Sequence, residues 1–137
     1  MASLPFLDTN VLLRHLRADH AEHSPRATAY LERIEREELK VRTADTMIFE
    51  TVFTLERSYR QPKAAIRDAL LSLLIGLPGI VLPRKRRFQT AFTFYVDLNI
   101  SFADAYHAAL MLEQKLSEVV TFDHHFDRVP GITRVEP

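Results

Sequence analysis

Two short apolar runs, one near each end of the chain, stop abruptly at an aspartate: Leu4-Pro5-Phe6-Leu7-Asp8, and Glu118-Val119-Val120-Thr121-Phe122-Asp123. Runs of this length bounded by polar turn residues read as strands. After the first, Thr9-Asn10 leads into an apolar segment from Val11 to Leu16 that suits a helix. Strand, tight polar turn and helix start form the βα unit of an open α/β sheet, where ligands bind outside the carboxyl ends of the strands. An Asp at that position points to the binding edge rather than into a core. It can equally serve as a helix cap, since Asp and Asn are both favoured there.

The intervening chain supplies the rest of such a sheet. Ser24-Pro25 reads as a helix start, with Ser as N-cap and Pro in the first turn. Ala27, Tyr30, Leu31 and Ile34 then recur at helical spacing to about Glu38. Leu39 to Thr43 alternates apolar and charged residues and reads as a second strand. Asp45 and Thr46 offer a cap for a helix to about Arg57, and Gln61-Pro62 opens another, ended by Gly76-Leu77-Pro78-Gly79. Ile80-Val81-Leu82 reads as a third strand. A helix follows from the region of Pro83 to about Asp97. Ser101 and Asp104 have capping-box spacing for a helix to about Lys115. A polar turn, His124 to Arg128, precedes a last short strand, Gly131 to Val135. Strands alternating with helices imply a parallel sheet covered by helices on both faces, in one domain over residues 1–137. Pro5 disagrees with a central strand, because it removes a ladder hydrogen bond.

Composition narrows the chemistry. The 137 residues are 47% hydrophobic and 26% charged, a globular balance, and they include no cysteine. Disulfides and thiolate metal sites are therefore excluded. A metal site would use carboxylates, His or backbone oxygens, which suits hard cations such as Mg²⁺ or Mn²⁺. The 18 basic and 18 acidic residues balance, so any nucleic-acid surface requires segregated charge. The apolar stretch from Ala69 to Pro83 is too short and interrupted to span a membrane. With no basic-then-apolar leader at the start, the expectation is a cytoplasmic protein.

Asp8 and Asp123 would lie at one edge of a parallel sheet, and Asp104, in a helix's first turn, can face the same edge. Two carboxylates about 4 Å apart at an effective dielectric near 20 repel by roughly 4 kcal/mol. A divalent cation removes that repulsion and supplies a Lewis acid for phosphodiester chemistry. Glu50 falls opposite the apolar face made by Met47, Ile48, Val52, Phe53 and Leu55. Periodicity allows it to be solvated or aimed into a cleft.

Four blocks occur in a recognisable order: Leu7-Asp8-Thr9-Asn10-Val11-Leu12-Leu13, Phe49-Glu50-Thr51-Val52-Phe53-Thr54-Leu55, Phe102-Ala103-Asp104-Ala105-Tyr106-His107-Ala108-Ala109, and Val120-Thr121-Phe122-Asp123-His124-His125-Phe126. Together the chain resembles the PIN domain family, and within it the VapC-type ribonuclease toxins of bacterial toxin–antitoxin pairs. The resemblance implies a three-layer α/β/α sandwich on a central parallel sheet. It implies a Mg²⁺- or Mn²⁺-dependent endoribonuclease whose catalytic carboxylates are Asp8, Glu50, Asp104 and Asp123. Asp8, Asp104 and Asp123 would hold the metal, and Glu50 would ligate it or orient the attacking water. Thr9, Asn10 and Thr121 would support the site through hydrogen bonds, with Asp127 a weaker candidate. A VapB-type antitoxin and a homodimer are further implications.

Arg84-Lys85-Arg86-Arg87 stands at a helix start, the unfavourable end for positive charge. It suits RNA phosphates, an acidic partner segment or plain solvent. His107, one turn after Asp104, reads as packing or as support for the site. His124 and His125 read as turn residues, because adjacent side chains diverge. Phe92, Phe94, Tyr95 and Phe102 form an aromatic group for a core or a dimer interface. Two other readings of the whole chain stay open: an RNA-processing PIN nuclease without an antitoxin, and an inactive PIN module kept for binding.

Overall fold

In the computed structural model, which describes residues 3–137, the chain divides into two compact units, one up to Pro83 and one from Arg84 onward. Each builds its own parallel pairing.

The first unit runs α1 (Thr9–Arg17), α2 (His23–Glu35), β1 (Val41–Arg42), α3 (Asp45–Arg57), α4 (Lys63–Gly76) and β2 (Ile80–Val81). β1 and β2 are parallel, with Val41 opposite Ile80 and Arg42 opposite Val81. The segment before α1 lies on the other edge of β1. There the Arg42 amide donates to the Pro5 carbonyl at 2.8 Å, and the Leu7 amide donates to the Arg42 carbonyl at 2.8 Å. This pairing is a single bridge, Phe6 with Arg42, shorter than the strand expected from Leu4 to Leu7. Pro5 accounts for the difference. It accepts through its carbonyl but has no N–H to extend the ladder backwards. Parallel neighbours need long crossovers, and the α1–α2 and α3–α4 pairs provide them.

Apolar faces at helical spacing bury Leu12, Leu31, Ile34, Ile48, Val52, Leu55, Ile66, Leu70 and Leu74 around Val41 and Ile80. α1 and α2 pack together, and His15 Nδ1 and Thr28 Oγ1 meet at 2.8 Å across them. Burial holds His15 below its ordinary pKa, partly offset by the charge of Glu32. α2 begins at His23 rather than at the expected Ser24-Pro25. The His20 imidazole Nδ1 accepts from the His23 amide at 2.9 Å, and Ser24 Oγ accepts from the His20 amide at 3.1 Å. The helix also stops before Glu38. Glu37 turns left-handed (φ 62°), and the Glu38 amide reaches back to the Arg33 carbonyl at 3.0 Å, the six-to-one bond of a Schellman ending. Gly79 leads into β2 so close to α2 that a Cβ there would stand 2.7 Å from Ile34 Cγ2.

The second unit runs α5 (Lys85–Asp97), α6 (Phe102–Glu113), β3 (Glu118–Val120), a 3₁₀ turn (His124–Arg128) and β4 (Thr133–Val135). β3 and β4 are parallel, with Glu118 opposite Thr133. The polar turn expected at 124–128 is thus a short helix. Ser101 caps α6, its Oγ accepting from the Asp104 amide at 3.1 Å. α5 packs on α6, and the small residues Ala105, Ala108 and Ala109 are buried. Phe92 and Phe102 lie 4.7 Å apart between ring centroids, with Tyr95 edge-on to Phe102 at 5.5 Å. The aromatic group is therefore core, except that Phe94 is half-buried. Among the described residues no helix is long and apolar enough to cross a membrane.

Candidate functional site

Asp8 occupies the N-cap position of α1 with extended backbone angles, φ −94° and ψ 159°. Its side chain makes no capping bond there. Among the described residues its carboxylate has no hydrogen-bond or ion-pair partner. Thr9, the first helical residue, is buried, and its Oγ1 donates to Glu50 Oε2 at 3.0 Å. Glu50 projects from α3 opposite the buried positions Met47, Ile48, Thr51, Val52 and Leu55. It is exposed, yet one of its oxygens is fixed by a buried hydroxyl 41 residues away in sequence. α1 and α3 pack together, which is what brings the pair within reach. Asn10 is exposed, and with Asp8 it lines a cavity of about 650 Å³.

The second unit gathers two carboxylates and an imidazole. His125 Nδ1 lies 3.3 Å from Asp123 Oδ1 and 3.8 Å from Asp104 Oδ2. One donor atom from each of the three residues falls within 4.8 Å of the others. The Asp104 side chain is 21% exposed, and those of Asp123 and His125 are 43% and 47% exposed, so a ligand has access. Backbone bonds set this arrangement. Asp123 caps the 3₁₀ turn, with Oδ1 accepting from the His125 amide at 2.8 Å, and Thr121 Oγ1 accepts from the Asp123 amide at 3.0 Å. Ser101 fixes Asp104 in the first turn of α6. Carboxylates with an imidazole are a donor set for a divalent cation.

The neighbouring candidates are engaged elsewhere. Arg134 Nε donates to Asp127 Oδ1 at 3.2 Å, and this bond is the main cause holding the Asp127 carboxyl below its usual range. His124 Nδ1 lies 3.4 Å from Asp127 Oδ2. The two adjacent imidazoles thus diverge as expected, but one of them reaches the carboxylates. The sequence marks His125 as a turn residue, and the structure adds its imidazole to the carboxylates. The signal that could have found it is an Asp followed two residues later by His, because an Asx turn folds the second residue back on the first. His107 is exposed, with its ring near Tyr106.

In the basic cluster two of the four cations are held within their own unit. Glu113 accepts from Arg87 Nε at 2.8 Å and from its terminal nitrogen at 3.0 Å, and from Arg84 at 3.0 Å. Arg87 also donates to the Tyr106 hydroxyl at 3.0 Å. This bidentate pairing raises the Arg87 pKa and lowers that of Glu113. Arg86 is exposed, and desolvation lowers the pKa of Lys85.

No curated protein matches the sequence. A family model does, and its match runs through both units: residues 6–132 fit the PIN domain, so the chain belongs to the PIN domain family.

Proposed function

We propose that the chain is a divalent-metal-dependent endoribonuclease of the VapC toxin type, hydrolysing RNA phosphodiester bonds. PIN domains are generally nucleases with acidic metal-binding residues. The observation that carries the reading is the convergence of Asp104, Asp123 and His125 donor atoms within 4.8 Å in such a domain. The proposal takes residues 1–137 as one three-layer α/β/α nuclease domain.

The donor chemistry fits Mg²⁺ or Mn²⁺, with Asp8, Asp104 and Asp123 as the ligating carboxylates. When bound, the cation stabilises charge developing on the phosphoryl oxygens and acidifies water for attack. The chain's own residues do the rest. Thr9 donates to one oxygen of Glu50 and leaves the other to orient the attacking water or accept its proton. The Thr121 hydroxyl holds the Asp123 backbone, and Asn10 offers an amide beside Asp8. The leaving 3′-oxygen gives 5′-phosphate and 3′-hydroxyl ends. The same resemblance carries a VapB-type antitoxin and a homodimer into the proposal, and with them a cytoplasmic site of action.

Total RNA incubated with purified protein tests the enzyme. Cutting is expected with Mg²⁺ or Mn²⁺, none with EDTA, and none by Asp104→Asn. Equal cutting by the variant, or none by folded wild-type protein with either metal, overturns it. A small adjacent reading frame whose product co-purifies with the chain and stops the cutting supports the toxin type. An active enzyme without one is an RNA-processing nuclease instead.

A further inference from the structure

The cavity of about 650 Å³ in the first unit has a lining that the catalytic reading does not use. It runs between α1, α2 and the edge at Phe6 and Val41, and Asp8 and Asn10 also line it. Three of its side chains are basic or weakly basic: Arg14, His23 and Arg26. Tyr30 and Phe6 supply aromatic faces, and Phe6 is 58% exposed. Asp8 is the only carboxylate in that lining. The chain as a whole is electrically neutral, so this local excess of positive charge is the segregation that a nucleic-acid surface requires. Arg14 has no side-chain partner among the described residues. Among the described residues Arg26 pairs only with Glu22, an exposed contact at 3.5 Å. Exposed pairs of this kind exchange readily for another anion. The groove's two walls are joined by the His15–Thr28 contact at 2.8 Å, so it is preformed.

Cations and aromatic faces lining one groove match a single strand of nucleic acid, with phosphates on the cations and bases on the rings. We infer that the α1–α2 groove binds single-stranded RNA beside Asp8, with Arg14 and Arg26 on its phosphates and Tyr30 stacking a base. This inference rests on the nuclease reading for the role of Asp8. It names the path by which substrate approaches that residue. It moves the substrate contact from the Arg84–Arg87 cluster, where Glu113 occupies two of the cations, to the first unit.

The test is binding of a fluorescent single-stranded RNA oligonucleotide by the full chain in an Asp104→Asn background with Mg²⁺. Arg14→Gln with Arg26→Gln is expected to weaken binding at least tenfold. The salt dependence should flatten by about 1.4 in log–log slope, two phosphates at about 0.7 each. Tyr30→Leu is expected to weaken binding about fivefold or more, with little change in salt slope. Arg33→Gln with Arg36→Gln removes the same charge from the C-terminal end of α2, outside the groove's lining, and should leave binding within twofold. Thermal melts establish that each variant is folded. Equal weakening by both double variants means nonspecific attraction and overturns the inference. So does unchanged binding by the groove variant, or a groove that takes up an apolar acidic peptide without competition from RNA. Metal-dependent cleavage by the wild type, measured separately, distinguishes these failures from failure of the nuclease reading, since cutting with an intact salt slope in the groove variant sinks only the groove.

Discussion

Asp8 and Asp123 each end a short apolar run, yet their carboxylates are engaged differently. Asp8 stands at the N-cap position of α1 without making a capping bond, and has no partner among the described residues. Asp123 caps the 3₁₀ turn through the His125 amide and faces the His125 ring. The same sequence pattern leaves one carboxylate wholly available and ties the other into its backbone. A residue without local bonds can be changed with little structural cost, so its contribution shows in activity alone. A capping residue shows in both.

Under the nuclease proposal the largest effect breaks both sides of the comparison equally. Asp8→Asn and Asp123→Asn each remove a ligating charge, and several kcal/mol of transition-state stabilisation are at stake. RNA cleavage with Mg²⁺ is expected to fall at least about 100-fold in each. A variant that keeps wild-type activity removes that residue from the metal set.

Alanine separates the two. Asn is as good an N-cap as Asp, whereas alanine is not. Asp123→Ala is expected to lose about 1 kcal/mol, an unfolding midpoint lower by about 3 °C in a domain of this size. Asp123→Asn should melt like wild type. Asp8→Ala gives up only its interaction with the helix dipole, a few tenths of a kcal/mol. Equal melting shifts for the two alanine variants would mean that Asp8 holds a structural bond after all.

A smaller effect probes the first unit's own support. Thr9→Val keeps the buried shape and removes the hydroxyl that donates to Glu50. A net hydrogen bond of about 0.5–1.5 kcal/mol corresponds to a roughly two- to twelvefold loss of cleavage, and Thr9→Ser should recover most of it. A loss of stability without loss of activity would make the bond structural.

Local chemistry explains what was legible in sequence. Helical stripes such as Ile66, Leu70 and Leu74 mark a buried face wherever the helix goes, so the helices were readable. The Ser101 cap involves neighbours three residues apart, and it too was readable. The start of α2 was not, because its N-cap residue Glu22 makes no side-chain bond and the His23 amide is taken by the His20 imidazole instead. The opening strand is shorter than its apolar run, and the reason was itself legible, since Pro5 has no N–H to give a ladder. Glu50 stayed ambiguous for a different reason. A helical wheel separates buried from unburied, but the Thr9 hydroxyl that fixes Glu50 comes from another helix. The basic cluster is similar, since Glu113 lies 26 residues beyond Arg87 and only packing of α5 on α6 brings them together. The sequence blocks single out four acidic positions as candidates; only the folded turn brings His125 to two of them, Asp104 and Asp123.

The smallest effect concerns Asp127, four residues beyond Asp123. Its carboxylate takes a hydrogen bond from Arg134, which also pairs with Glu136. The Arg134 bond, with smaller help from His124, holds Asp127 below its ordinary value of 3.8. A carboxyl with a depressed native pKa contributes stability that is complete above its unfolded value and is lost as pH falls through the native one. Wild-type protein should therefore gain less from Asp127 below about pH 4, and acid unfolding should begin there more steeply than in Asp127→Asn. Above pH 5 the melting difference between the two should be constant. Cleavage at neutral pH should change less than twofold in Asp127→Asn, because Arg134 already engages that carboxylate. A loss as large as that of Asp123→Asn would instead put Asp127 in the metal set, and the contrast between a free and a capping aspartate would then have to include a third.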